Sequence, residues 1–185
     1  MVKDVLKDIE DRMKKSVTAL EKDLAGLRAG RATPALLGKI VVEYYGVPTP
    51  LQQVATVSVP DSRTLVIQPW DKSVLKEIDR AIQKSDIGLM PNSDGSIIRL
   101  NIPTLTQERR GELAKVCKKK AEEGRVAVRN LRREGNDLIR MLEKDKEITE
   151  DDSKKGQEDM QKLTDKYIKE VDEVLALKEA EIMEV

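Results

Sequence analysis

Between residues 2 and 27 the apolar positions Val2, Leu6, Ile9, Met13, Val17, Leu20, Leu24 and Leu27 recur at spacings of three and four, with charged residues between them. That spacing keeps one side of a helix apolar and predicts an amphipathic helix. At AGRATPALLG the helical period ends in two glycines and Pro34, and short runs follow: KIVVEYYG, QVATVSVP, TLVIQP and SIIRLNIP. Turn-forming residues bound these runs, so they read as β-strands, with a helix from about Ser73 to Lys84 between the third and the fourth. After Pro103 the helical pattern returns. From Thr106 to Lys144 the positions Cys117, Ala121, Gly124, Val128, Leu131, Gly135, Leu138 and Leu142 alternate spacings of four and three, a seam of coiled-coil type whose small residues admit a close neighbour. KEITEDDS breaks it, and Thr149 with Asp152 predicts a capping box opening a last helix with apolar positions Met160, Leu163, Tyr167, Val171 and Val174.

Each long helix has a single apolar stripe and is not stable alone, so the three are expected to pack as an antiparallel bundle. The expected fold class is α+β. Residues 1–30 and 104–185 form the bundle, and residues 31–103 form a small β/α/β domain inserted between its first two helices. Two connections join the domains, and they predict a hinge at Gly30, Arg31, Ala32, Thr33, Pro34, Pro103 and Thr104.

Composition narrows the chemistry. The chain has no histidine, which removes the commonest general base and metal ligand, and one cysteine, Cys117, on an apolar helical face, which reads as a core thiol. No Walker-type GxxxxGK[ST] is present; AGLRAGRAT and NSDGS read as hinge and turn. Asp61, Asp71 and Asp94 each follow a turn signal and read as caps or turns. Trp70, beside a proline at a strand end, reads as packing, with a contact role as the alternative. The acid-containing N-terminus is unlike a leader peptide, and no apolar run is long enough to cross a membrane, so a soluble cytoplasmic protein without metal, cofactor or catalytic residues is expected.

Charge then changes the picture. The chain is neutral overall, yet residues 105–144 hold twelve Lys/Arg against seven Asp/Glu, and residues 145–185 hold seven against fourteen. At 100° per residue Lys118, Arg129, Arg132, Asn136 and Arg140 fall within about 60° of Arg125, away from the apolar seam. Glu122 is the one acid in register along that stripe. The plain reading is a solvated face of intrahelical ion pairs. The competing reading is a phosphate-binding surface, because unpaired guanidinium groups bind anionic oxygen pairs. With no interleaved aromatic and no zinc-finger or zipper pattern, folded RNA fits such a face better than single strands or DNA. A coiled-coil adaptor would use the same seam for a protein partner, and an enzyme would need a reactive constellation that the residues do not offer.

LRAGRATPALL (27–37), YYGVPTPLQQVATVSVPDSRTLVIQPWD (44–71), PTLTQERRGELAK (103–115) and VAVRNLRREGND (126–137) together resemble the bacterial ribosome recycling factor family over nearly the full length. The resemblance implies an L-shaped monomer of transfer-RNA size. Such a protein works with elongation factor G and GTP to split the post-termination ribosome into subunits, releasing messenger RNA and deacylated transfer RNA. It further implies that the bundle lies on ribosomal RNA of the large subunit while elongation factor G pushes the small domain. Matched to the family's motif, Arg110, Arg129 and Arg132 would face RNA, and Arg28 and Arg31 would sit at the bundle–hinge junction. Arg125, Arg133 and Lys118 join them from the helical projection. No DNA or membrane partner is expected.

Overall fold

The structure, a computed structural model, describes residues 1–27 and 30–184. It divides into two compact units, one formed by Met1–Leu24 with Ala114–Val185 and the other by Ala25–Leu113.

The first unit is helical. Helix α1 spans Val2–Ala25 and stops at Gly26, two residues short of the predicted end, where glycine withdraws helical propensity. It buries Ile9, Met13, Val17, Leu20 and Leu24, as its spacing predicts. Each such side chain stabilises the fold by roughly 1.5–3 kcal/mol. The next long helix, Gln107–Lys144, is α3 below; most of it belongs to this unit. Its seam follows Cys117, Ala121, Val128 and Gly135 and then departs from expectation: Ile139 is fully buried while Leu138 is 41% exposed. A straight helix of 3.6 residues per turn drifts against a 3.5-residue repeat, and two successive spacings of four restore the contact. The same correction operates in α4, Glu150–Met183, where Thr164 and Leu175 are buried and the predicted Leu163 and Val174 are only half-buried.

Five pairs give the directions. Arg12 meets Glu134, a Cβ on Gly124 would touch Leu20 and Val171, and one on Gly156 would touch Val2 and Ile139. Helix α3 is therefore antiparallel to both α1 and α4. The turn between α3 and α4 is doubly capped. Glu147 N–H donates to Leu142 O and Lys146 N–H to Glu143 O, each at 2.9 Å, with Lys146 at φ 61°, a Schellman closure. Thr149 then forms the predicted capping box with Asp152. Polar groups in this core find local partners: Thr164 Oγ1 donates to Met160 O at 2.8 Å.

In the second unit β1 (Val41–Tyr44) and β2 (Val47–Pro50) form a hairpin. Its two-residue turn, Tyr45–Gly46, has φ 49° and 80°, the positive pair that suits the twist of a tight hairpin. β2 went unpredicted because Pro48 and Pro50 argue against a central strand; a two-stranded sheet has only edges, where proline is tolerated. A second, antiparallel sheet has the order β3–β4–β6–β5, with β3 at Ala55–Asp61, β4 at Thr64–Pro69, β5 at Asn92–Ser93 and β6 at Ile98–Asn101. Helix α2, Leu75–Lys84, buries Leu75, Ile78 and Ile82 into the same core as Leu65, Ile67, Ile98 and Leu100. Asp71 caps the approach to α2 by accepting from Ser73 N–H at 2.9 Å.

The segments through which the chain enters and leaves this unit are tied to the β3–β4 turn. Ala32 N–H donates to Ser62 O and Ile102 N–H to Arg63 O, both at 2.8 Å. Thr33 Oγ1 accepts from Ala35 N–H and caps a short 3-10 turn, Pro34–Leu37. Gly30, at φ 80°, has a conformation that L side chains rarely adopt, and Leu105 lies beside it.

Candidate nucleic-acid interface

The arginine stripe of α3 runs along the flank that meets α4, and α4 supplies partners that counting along α3 leaves out. Arg125 is held by two carboxylates: its Nε and Nη2 reach Asp172 Oδ1 at 2.8 and 2.7 Å, and its Nη1 reaches Glu122 Oε2 at 2.9 Å. Glu122 Oε1 also accepts from Arg129 Nη1 at 3.2 Å. Hydrogen bonds from Arg125 and then Arg129 hold the Glu122 carboxyl below the usual carboxylate range. Arg140 pairs with Asp137 at 3.3 Å, three residues before it. The stripe is thus more paired than the expected single acid, Glu122, allowed.

Arg132 is treated differently. Its Nη1 donates to the neutral amide oxygen of Gln161 at 3.2 Å, and Gln161 Nε2 donates in turn to Asp165 Oδ1 at 2.8 Å. The guanidinium is hydrogen-bonded without a carboxylate opposite it. Arg133 and Lys118 are exposed and have no ion pair within 4 Å among the described residues. One turn beyond Arg132, Asn136 Oδ1 is buried without a hydrogen-bond partner, on the same face.

The other predicted residues scatter. Arg110 is 8% exposed and engaged, so its guanidinium is not an open surface group. Arg31 is exposed and engaged, and Arg28 lies outside the described residues. The structure brings Arg125, Arg129 and Arg132 together along one flank, with Lys118 and Arg133 on the same helix. Reading α3 alone missed Asp172, Gln161 and Asp165; the signal that finds them is hairpin register, because both cross-helix pairs are centred on the turn at 145–149.

Elsewhere the acids behave as read. Asp61 accepts from Arg63 N–H and Thr64 Oγ1; Asp94 accepts from the N–H groups of Ser96 and Ile97; Asp71 accepts from Tyr45 Oη and from Ser73. These bonds hold all three carboxyls below their ordinary range. Cys117 is a core thiol, and burial pushes its pKa up. Trp70 is not packing as read: it is 66% exposed, its Nε1 donating to Thr56 Oγ1 at 2.7 Å. Among the described residues no group of three His, Cys, Asp or Glu could hold a metal ion. No helix among them is long and apolar enough to cross a membrane.

A helical unit carrying an arginine-bearing flank, with a small β-rich unit in the same chain, puts the protein in the α+β class. A model of the ribosome recycling factor family matches residues 20–183. The ribosome-recycling factors of Desulforamulus reducens and Syntrophomonas wolfei subsp. wolfei are 62% and 60% identical over 185 residues, covering both chains fully. A solution structure of the ribosome recycling factor has a TM-score of 0.81 at 44% identity, covering 100% of this chain and 98% of that one. The T. thermophilus ribosome recycling factor, in a structure with E. coli elongation factor G and the E. coli post-termination complex, has a TM-score of 0.69 at 47% identity with full coverage of both chains. The chain belongs to the ribosome recycling factor family.

Proposed function

We propose that this protein recycles ribosomes in the cytoplasm after translation terminates. Acting as a monomer with elongation factor G and GTP, it splits the post-termination ribosome into subunits and so releases messenger RNA and deacylated transfer RNA. It catalyses no covalent step. Free energy from the partner GTPase acts through the small unit and is delivered by the helical unit to ribosomal RNA of the large subunit. The setting of the T. thermophilus relative, with elongation factor G on a post-termination complex, supports these partners.

The observation that carries the RNA reading is Arg132, a guanidinium that meets a neutral amide on α4 and not a carboxylate. Phosphate oxygens are the ligand its donor fork fits, and such contacts orient a protein on RNA without reading bases. Arg133 and Lys118 add charge on the same helix. Arg125 and Arg129, already paired with carboxylates, contribute less. The hinge of the proposal is the one the sequence suggests, at Gly30, Arg31, Ala32, Thr33, Pro34, Pro103 and Thr104; of these, Ala32 donates to Ser62 O and Thr33 accepts from Ala35 N–H within the Ala25–Leu113 unit.

Light scattering of purified post-termination ribosomes tests the function, with this protein, elongation factor G and GTP each omitted in turn. Splitting that needs all three is expected; binding without splitting would refute recycling. Arg132→Ala is expected to weaken large-subunit binding by about tenfold, on the scale of one hydrogen-bonded charge, with unchanged helical circular dichroism.

A further inference from the structure

We infer that Gln161 is a positioning residue for Arg132, an amide clip that fixes the guanidinium without neutralising it. The inference rests on the reading of this α3 flank as the RNA-binding surface. Helix α4 belongs to the acidic part of the chain, and where it faces Arg125 it presents the carboxylate of Asp172 at 2.7 Å. Facing Arg132 it presents an uncharged amide at 3.2 Å. An acid there would have formed the same kind of cross-helix ion pair and left no net charge for a phosphate.

Chemistry makes glutamine suited to this place. Its oxygen accepts one N–H of the guanidinium, and four of the five donors stay available, enough for a bidentate phosphate contact. Which end of the amide faces Arg132 is decided by Asp165, one turn along α4: its carboxylate can only accept, so it takes the NH₂ group at 2.8 Å and turns the oxygen toward α3. Asp165 thus orients the clip while its own charge stays one side chain removed from the arginine. Holding a long, flexible side chain in its binding geometry before RNA arrives removes ordering entropy from the binding step.

The test is a titration of full-length protein onto purified large ribosomal subunits from about 50 to 200 mM monovalent salt, comparing wild type, Arg132→Ala, Gln161→Leu and Gln161→Glu. A glutamate at 161 loses its bond to Asp165, is repelled by that carboxylate, and swings to Arg132 as an ion pair. Gln161→Glu should therefore bind several-fold more weakly at the lowest salt, with the slope of log K against log salt shallower by roughly 0.7–0.9, the loss of one phosphate contact. Gln161→Leu should weaken binding about threefold and keep the wild-type slope, because the charge persists while its orientation is lost. Residue 161 is exposed, so both variants should keep wild-type helical circular dichroism. If Arg132→Ala weakens binding while both Gln161 variants match wild type in affinity and slope, the clip is refuted and the RNA-binding face stands. If Arg132→Ala itself binds like wild type at every salt concentration, the face has been misassigned and the clip falls with it.

Discussion

Gly135 sits where α3 packs against Ile9 and Met160, and replacing it with alanine sets two effects of opposite sign against each other. A methyl group there would overlap Met160 Cε and come within 3.0 Å of both Met160 Sδ and Ile9 Cγ1. The closest atom is the end of a flexible side chain, but Ile9 and Met160 are both fully buried, so the thioether must repack within the core and cannot swing into solvent. Overpacking of this kind costs roughly 1–3 kcal/mol. Removing a glycine from a helix interior returns roughly 0.8–1.0 kcal/mol. Overpacking wins, and Gly135→Ala should lose about 1 kcal/mol net. Two glycines of the same helix are internal controls. Gly111 has nothing within 4 Å of a new Cβ, so Gly111→Ala should gain about 1 kcal/mol. Gly124 would meet Leu20 Cδ2 at 3.3 Å, tight but yielding, so Gly124→Ala should come out near neutral. Thermal melts followed at 222 nm should place Gly111→Ala highest, Gly124→Ala between and Gly135→Ala lowest, the extremes about 4–8 °C apart at roughly 2–4 °C per kcal/mol. Adding Met160→Leu, which removes the overlapping thioether end, should recover part of the Gly135→Ala loss, a non-additivity confined to contacting residues. A melting point for Gly135→Ala raised as far as that of Gly111→Ala would refute the close-packing argument.

Three further outcomes follow from local physics. Lys146 occupies the left-handed position of the Schellman turn at φ 61°, so Lys146→Gly should raise the unfolding free energy by about 0.5–1 kcal/mol, read as a higher urea midpoint with an unchanged m value. Burial and then the bond to Glu10 push Tyr167 up to about 12, above its unfolded value near 10. A raised folded pKa gives stability that is complete below pH 10 and lost as pH climbs toward 12, so urea midpoints should fall across that window, and Tyr167→Phe should flatten the fall. Lys178, buried in the α4 stripe, pairs with Glu181 at 3.3 Å, so Lys178→Met, which leaves that carboxylate without its cation, should lower the melting point, and replacing both residues with apolar ones should recover part of the loss.

Long-range order was legible where one period dominates. The buried residues of α1 are the predicted ones, and α2, the capping box and the switch from helical to strand spacing are where the pattern puts them. Four features escaped it, one of them β5, which at two residues is too short to show a period. β2 was hidden by two prolines that an edge strand tolerates. Leu138 was placed in the seam because a strict four–three alternation ignores helical drift, and the true seam residue is its neighbour Ile139. Ser153, Thr164 and Lys178 lie in the buried stripe of α4 although their side chains are polar, since local hydrogen bonds or an ion pair satisfy them there.

The site was legible as a stripe and illegible as a charge distribution, for a physical reason. The stripe is set by helical periodicity, which any window of eleven residues displays. The usable charge on each arginine depends on the group facing it, and that group lies 47 residues away for Arg125 and 29 for Arg132. Counting acids along α3 found Glu122 and treated five cations as equally free, yet Asp172 removes Arg125 from that set while Gln161 leaves Arg132 in it. Whole-chain neutrality misleads in the same way, because it averages carboxylates that touch the stripe with others that never do. A basic helical face is therefore a tertiary property. Its local charge differs at each position with the group the neighbouring helix sets against the guanidinium, a carboxylate from Asp172 at Arg125 and an uncharged amide from Gln161 at Arg132.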